Sequence, residues 1–140
     1  MDRIGRPFFL HFLFYFLCDS DQPQEYQSEF ANGRYNNCAN RCYYSCLQAA
    51  RAALHAGDMQ RHTPHLRWSH EFIQAQFVGE LIHRRKVYPS SLRDTLARSL
   101  ILRQVADYEA DMVSQTQAER TLRRTHEFVQ TIVLQGGEAS

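Results

Sequence analysis

Three cysteines recur at four-residue intervals, a pattern that raises the question of a metal site. Cys38, Cys42 and Cys46 would lie one turn apart on one face of a helix. The outer two positions are then about 12 Å apart, whereas a zinc–sulfur bond is about 2.3 Å long. One metal ion cannot reach all three, and the sequence holds no Cys-x-x-Cys pair. The spacing instead predicts a strip of small buried residues against which another helix packs.

The seven histidines are the second set of metal-binding side chains. His62 and His65 flank Pro64 and could converge, but His65 and His70 are five residues apart and do not share a helical face. No carboxylate stands at the usual spacing of a metal partner beside them. We therefore expect neither a metal nor another cofactor.

An arginine and an aspartate continue the apolar stripe of a later predicted helix. That stripe consists of Leu92, Leu96 and Leu100. Arg103 and Asp107 take its next two positions, so we expect both to be partly buried and to pair across one turn. Two interpretations are open: an ion pair that fixes helix register, or a pocket in which Arg103 holds a phosphate and Asp107 or Tyr108 orients it.

The remaining positive charge is spread over the chain rather than concentrated in one region. Sixteen basic residues stand against fifteen acidic ones, a net charge of +1, so no overall field draws the chain onto nucleic acid or anionic lipid. The two basic clusters are residues 84–86 and the group Arg120, Arg123 and Arg124. Both are typical of solvated helix faces, although both could contact RNA phosphates.

Helices must position these residues, because no stretch of the sequence shows the sustained alternation of apolar and polar residues that is typical of a β-strand. The helix boundaries follow from caps and breaks. We expect a short first helix that ends at Gly33 and a second helix that runs from an N-cap at Asn36 to Gly57. The third helix is expected to start at Thr63-Pro64 and to end at Tyr88-Pro89, and the fourth to start at a cap at Ser90 or Ser91. The fifth is expected to run from a capping box at Ser114 to Gln117 as far as Gly136-Gly137. The 140 residues fit one domain. We predict an all-α fold: an antiparallel up-and-down bundle of four long helices plus a short N-terminal helix.

The same periodicity predicts which residues face the core. On the second helix these are Tyr43, Leu47, Ala50 and Leu54; on the third, Leu66, Ile73, Phe77 and Leu81; on the last, Ala118, Leu122, Thr125, Val129 and Ile132.

Residues 8–18 form an apolar run interrupted only by His11 and preceded by Arg3 and Arg6. The run resembles the start of a signal peptide, but it is shorter than the roughly 20 residues that span a bilayer, and no small-residue cleavage site follows. It could be a weak signal or membrane-surface anchor, a helix packed on the rest, or an extension from a misplaced start; we favour the extension. We assign residues 1–24 to this leader, 25–135 to the domain and 136–140 to a tail. We expect a cytoplasmic protein without a membrane segment.

Several motifs along the chain resemble, in sequence and in their order, those of the HEPN domain family (higher eukaryotes and prokaryotes nucleotide-binding). Residues 33–51, GRYNNCANRCYYSCLQAAR, are similar to its G-x-Y-x-x-A-x-x-R-x-Y-Y-A…A-A-R helix. The segments WSHEF at 68–72 and LRQVADY at 102–108 match the same subgroup, as do Val113-Ser114 and Phe128-Val129. The resemblance covers roughly residues 25–135.

The resemblance implies an antiparallel helical bundle that forms a homodimer. Many relatives are toxins that cleave RNA without a metal ion, and they are often paired with a minimal nucleotidyltransferase partner. The family's catalytic signature is an Arg and a His with four to six residues between them. Arg103 is present here, but Tyr108 stands at the place of the His. With a pKa near 10, a tyrosine is a poor general base at neutral pH. The resemblance also marks Arg41, Tyr44 and Arg51 as ligand-binding candidates.

Three functional hypotheses follow. The first is a binding component of a toxin–antitoxin type system, in which Arg103 grips a nucleotide or RNA phosphate and the surface docks a nucleotidyltransferase. The second is a metal-independent endoribonuclease in which Arg103 acts with His70 or Tyr108. The third is a purely structural helical partner in which Arg103 and Asp107 pin the register. The missing histidine favours the first and leaves open whether the chain is an enzyme.

Overall fold

The computed structural model describes residues 22–56, 68–107 and 112–138, and all regular elements in these ranges are helical. In chain order they are α1 (Gln22–Ala31), α2 (Tyr35–Ala56), α3 (His70–Gln76), a π-helix that continues α3 (Phe77–Arg84), a 3₁₀ turn (Ser90–Leu92), α4 (Thr95–Asp107) and α5 (Gln115–Glu138). The all-α prediction is confirmed for this part of the chain. None of the described helices combines the length and apolarity that a membrane crossing requires.

Helix α2 is the central element and packs against α1, α3, α4 and α5. Its buried residues are mostly alanine, serine and cysteine, so neighbouring helices approach it closely from several sides. The residues predicted to face inward on α2 are all buried, and so are those on α5 except Leu122, which is half-buried. Phe77 and Phe128 fill the middle of the larger core cluster, where their ring centroids are 5.2 Å apart.

Contacts between helix ends show how the helices run. The Asn36 side chain at the start of α2 accepts a hydrogen bond from the backbone N–H of Val113 (2.8 Å) and donates one to the carbonyl of Ala106 (3.4 Å). Further along α2, Cys46 meets Thr125 of α5. These contacts show that α5 runs in the same direction as α2. Tyr43, two turns after Asn36, contacts Arg103, which precedes Ala106, so α4 runs antiparallel to α2. The predicted N-cap role of Asn36 is wrong, because α2 already begins at Tyr35. The Asn36 amide instead links the start of α2 to Ala106 of α4 and to Val113, which precedes α5.

Two predicted helix boundaries are confirmed by hydrogen bonds or backbone angles. At the start of α5, the Ser114 hydroxyl accepts from the Gln117 N–H (3.1 Å), and the Gln117 side-chain oxygen accepts from the Ser114 N–H (2.9 Å). This reciprocal pair is the predicted capping box. After α1, Gly33 adopts a φ of 73°, a left-handed conformation that glycine takes without a steric penalty.

Three other boundaries differ from the prediction. Thr63-Pro64 lies outside the described residues, but Trp68 and Ser69 are not helical, so no continuous helix runs from there into α3. Helix α3 begins after Ser69, whose hydroxyl accepts from the Phe72 N–H. Ser90 starts only a 3₁₀ turn, and α4 begins at Thr95. Helix α5 continues through Gly136-Gly137 to Glu138, because glycine weakens a helix without necessarily ending it.

The second half of the α3 segment is a π-helix, which the periodicity did not predict. Its wider turn is seen where the N–H of Arg85 bonds to the carbonyl of Glu80, five residues earlier. Phe77 and the consecutive residues Leu81 and Ile82 of this segment are all buried. Lys86, with a φ of 53°, then turns the chain toward Tyr88.

Several sequence predictions fall outside the described residues. They concern the apolar run at 8–18, the stop at Gly57, the pair His62 and His65, the core position Leu66 and the candidate site residue Tyr108.

Candidate functional site

Arg103 of α4 places its guanidinium against two tyrosine rings of α2. The Cζ atom is 5.0 Å from the centroid of the Tyr44 ring and 5.3 Å from that of Tyr43. Both distances are within the roughly 6 Å at which an aromatic face attracts a cation. The two rings themselves meet edge to face, with centroids 5.5 Å apart. Consecutive residues of one helix therefore form a two-ring seat that fixes the guanidinium.

His70, the first residue of α3, completes this arrangement. Its Nδ1 is 3.1 Å from the hydroxyl oxygen of Tyr43, and its ring lies edge-on to both tyrosines. We call Arg103, Tyr43, Tyr44 and His70 the Arg103 cluster. It joins three helices, so its geometry exists only in the folded bundle.

Asp107 is one turn further along α4 but does not lock the arginine in place. Its Oδ2 is 3.9 Å from Arg103 Nε, which is beyond hydrogen-bond distance. The Asp107 side chain is 61% exposed and that of Arg103 26%. The prediction that both are partly buried is therefore wrong for Asp107, because this last residue of α4 lies at the edge of the buried face formed by Thr95, Leu96 and Ser99.

The Nε–H of Arg103 is buried and has no hydrogen-bond partner among the described residues. The guanidinium packs against the two tyrosine rings, and no described residue accepts a hydrogen bond from its Nε–H. Such a group favours an anion within reach, because a buried donor without an acceptor is unfavourable.

The environment of Tyr43 keeps its hydroxyl protonated. Burial raises the pKa of Tyr43, and the nearby charge of Arg103 opposes that shift without cancelling it. A neutral phenol can donate to His70 Nδ1 or accept from it. Tyr43 therefore supports His70 in either protonation state and leaves Nε2 outside this bond.

The other predicted ligand-binding residues lie along α2 rather than against Arg103. Arg51 is half-buried and follows Tyr44 by two turns, about 10 Å along the same helix face. Arg41 is exposed and precedes Tyr44 by one turn. The pKa of Glu29 is lowered chiefly by its hydrogen bond with Arg34, and the charge of Arg41 adds to this effect.

Tyr43 is the cluster residue that the sequence analysis assigned only to the core. It is 2% exposed, so that assignment is confirmed, yet its hydroxyl also connects α2 to His70. The available signal was the Tyr43-Tyr44 pair itself. Neighbouring helical residues point about 100° apart, so one ring enters the core while the next stays at its margin, and a cation at that margin touches both.

The cysteine strip, in contrast to the Arg103 cluster, is closed to solvent. Cys38, Cys42 and Cys46 are completely buried, as predicted, and the Cys46 thiol donates to the Thr125 hydroxyl at 3.6 Å. Burial raises the pKa of the Cys46 thiol to about 12, so it is not a reactive thiolate at neutral pH. Across the described ranges, no group of three or more histidine, cysteine or acidic side chains is arranged to hold a metal ion.

A family model described as the HEPN domain matches residues 24–135. The chain belongs to the HEPN domain family. Neither a curated protein nor a solved structure matches it. The match confirms the resemblance at the level of the family. All four residues of the Arg103 cluster lie inside the matched range, so the cluster is part of this HEPN domain itself.

Proposed function

We propose that this HEPN domain binds the phosphate groups of a nucleotide or of RNA at the Arg103 cluster. One observation carries the proposal: a partly exposed guanidinium is fixed by two aromatic rings while the adjacent carboxylate of Asp107 stays 3.9 Å away. Membership of a family named for nucleotide binding supports the same assignment.

The chemistry of arginine fits this role. Its planar fork of N–H donors matches two oxygens of a phosphate, and contacts to the ring faces leave the donor edge for that anion. Asp107 is exposed, so it loses little hydration when an anion approaches and its side chain turns away. Tyr44 is only half-buried, and its remaining surface can stack on a base.

We also propose a homodimer that acts with a minimal nucleotidyltransferase in a toxin–antitoxin type system. This part of the proposal rests on the resemblance of residues 33–51 and 102–108, including the Arg-x-x-x-Asp-Tyr segment that ends at Tyr108. The family match supports it only in general terms.

A titration of a fluorescently labelled single-stranded RNA oligonucleotide with the full chain tests the binding site. We expect Arg103→Ala to weaken binding by about tenfold or more, since it removes a charge-assisted phosphate contact. Arg123→Ala is the matched control, because Arg123 is an exposed arginine of α5 outside the cluster. Equal loss in both variants, or no loss in either, would contradict the proposed site.

A second candidate function is metal-independent RNA cleavage, and the position of His70 favours it. The histidine and Arg103 contact the same two tyrosines, so a base and a cation are already adjacent without the family histidine at position 108. In this reaction His70 Nε2 takes the proton of a ribose 2′-hydroxyl, whose oxygen attacks the neighbouring phosphorus. The bond between phosphorus and the 5′-oxygen breaks, the 5′-oxygen takes up through water the proton that His70 has received, and Arg103 stabilises the charge on the phosphate.

Cleavage of labelled RNA in the presence of EDTA tests this second function. We expect His70→Gln to abolish cleavage while RNA binding persists, and His126→Gln, an exposed histidine of α5, to have no effect. Tyr108 lies outside the described residues, and the sequence predicts a smaller loss for Tyr108→Phe because the ring remains. Absence of cleavage by the parent chain would leave the binding function alone.

A further inference from the structure

A second basic surface lies between α4 and α5 and shares no residue with the Arg103 cluster. It is a groove of about 310 Å³ with an aliphatic floor of Ile101, Leu102 and Val105. Three arginines line it: Arg98 of α4 and Arg120 and Arg124 of α5. Ile101 is 60% exposed, so a large aliphatic side chain remains in contact with water.

The charge of this groove is uncompensated within the described part of the chain. None of its lining residues is acidic, and none of the three arginines forms an ion pair with a described carboxylate. An exposed aliphatic floor between three like charges is unfavourable for the free protein. A partner that brings both carboxylates and aliphatic side chains would relieve both features.

We propose that the α4–α5 groove docks an acidic amphipathic helix of a partner protein. The lining of α4 runs from Arg98 to Val105, eight residues with a rise of about 10 Å, which is the length of two helical turns. Leu102, Val105 and Ala106 pack in the same core cluster as Ala118 and Leu122, so the end of α4 lies beside the start of α5.

The helices are thus antiparallel, which places Arg98 and Arg124 at one end of the groove. A two-turn helix with aliphatic residues three or four positions apart reaches the floor, and carboxylates on its flanks reach the arginines.

The floor distinguishes this occupant from RNA. Single-stranded RNA is recognised by stacking of its bases on aromatic side chains, and the groove is lined by no aromatic residue. A phosphodiester chain would satisfy the arginines but would leave Ile101 without an apolar partner. The combination of aliphatic floor and basic rim therefore fits a peptide, and the inference is independent of the function of the Arg103 cluster.

A displayed library of helical peptides with randomised surface positions, selected on the full chain, tests the inference. We expect enrichment of sequences in which Asp or Glu flanks Leu or Ile at helical spacing. The enriched peptide, labelled and titrated, should bind the variant Arg98→Ala/Arg120→Ala/Arg124→Ala at least about tenfold more weakly. Ile101→Asn should weaken it as well, whereas Arg123→Ala is the control and should bind as the parent does.

Enrichment of sequences without acidic residues, or equal binding by the triple variant, would overturn the proposal. So would a single-stranded RNA whose binding depends on these three arginines and which displaces the peptide. Arg103→Ala should retain peptide binding and the triple variant should retain RNA binding at the Arg103 cluster, so failure of one proposal is distinguishable from failure of the other.

Discussion

The cysteine strip and the Arg103 cluster both use residues of α2, but only one of them is accessible to a ligand. The cysteine strip offers three metal-binding side chains in regular spacing, yet all three are sealed in the core. The Arg103 cluster has no such regular pattern and draws its members from three helices, yet it holds a partly exposed cation whose Nε–H has no acceptor among the described residues. Spacing within one helix therefore predicts packing well, whereas a site depends on what other helices bring to the same point.

The difference in accessibility between the cysteine strip and the Arg103 cluster predicts which of them contributes to stability and which to binding. Around Cys46, contacts are internal and its thiol already has the Thr125 hydroxyl as partner. Around Arg103, the carboxylate of Asp107 is exposed and too distant for a hydrogen bond. Substitutions in the strip should therefore affect folding, and substitutions in the cluster should affect binding.

The largest expected effect on stability is in the strip. Replacing Cys38, Cys42 and Cys46 together by Ala removes three buried sulfur atoms and leaves small cavities, so we expect a loss of about 2–4 kcal/mol in the free energy of unfolding. Urea denaturation followed by circular dichroism measures this loss. RNA affinity should be unchanged at temperatures where the variant is folded; a large loss of affinity in the folded variant would break the contrast.

Alkaline pH should destabilise the strip before it affects the cluster. The pKa of Cys46 rises from an ordinary value of 9.0 to about 12 on folding, so the unfolded chain releases this proton first and stability falls as pH rises from about 9 toward 12. The contribution is at most about 1.4 kcal/mol per pH unit. We expect Cys46→Ala to have a shallower decline in unfolding free energy over this range than the parent; identical slopes would contradict the assignment.

In the cluster, Tyr43→Phe tests the link between α2 and His70. The ring and its contact with Arg103 remain, but the hydroxyl bond to Nδ1 is lost, so we expect a loss of about 1 kcal/mol in stability. The NMR ¹⁵N chemical shift of His70 Nδ1 at a fixed pH should change, because its hydrogen-bond partner is gone. Tyr88→Phe is the control, because Tyr88 is a buried tyrosine whose ring packs on Phe77. An unchanged Nδ1 chemical shift in Tyr43→Phe would show that the bond has no influence on this histidine.

The smallest expected effect on stability is that of Asp107→Asn. The exposed side chain at 3.9 Å contributes about 0.5 kcal/mol or less to stability. Removing its negative charge should nevertheless strengthen RNA binding about two- to threefold, because a phosphate no longer competes with a carboxylate. Titration of labelled RNA measures the change, and weaker binding would mean that Asp107 contributes to holding the ligand.

Much of the fold could be predicted from the sequence, because the signals are local. The capping box at Ser114, the turn at Gly33 and the small-residue strip on α2 depend on neighbours within a few residues. The π-helix and the delayed start of α4 could not be predicted, since core packing rather than local propensity decides them. Asn36 is similar: a good cap in sequence, it instead bonds to Ala106 and Val113, some seventy residues away.

The site was predictable only in part. The nuclease hypothesis named Arg103 together with His70 or Tyr108, and Tyr44 entered through the family motif. That the rings of Tyr43 and Tyr44 hold the guanidinium depends on how α4 crosses α2, which spacing within either helix does not contain. The exposure of Asp107 likewise depends on where the core ends, one turn beyond Arg103.

Thermal unfolding of the parent and of Arg103→Ala, each with and without a saturating RNA oligonucleotide, tests the central claim most directly. Because the carboxylate of Asp107 is exposed, Arg103→Ala alone should lose only about 1–2 kcal/mol, from two ring contacts and a weak ion pair. At 100 times the parent's dissociation constant, RNA should stabilise the parent by about 2.7 kcal/mol and should stabilise the variant, which binds at least about tenfold more weakly, by about 1.4 kcal/mol or less. An RNA-induced shift as large in Arg103→Ala as in the parent would contradict the claim, and a loss of about 3–5 kcal/mol without RNA would assign Arg103 to the register of the bundle instead.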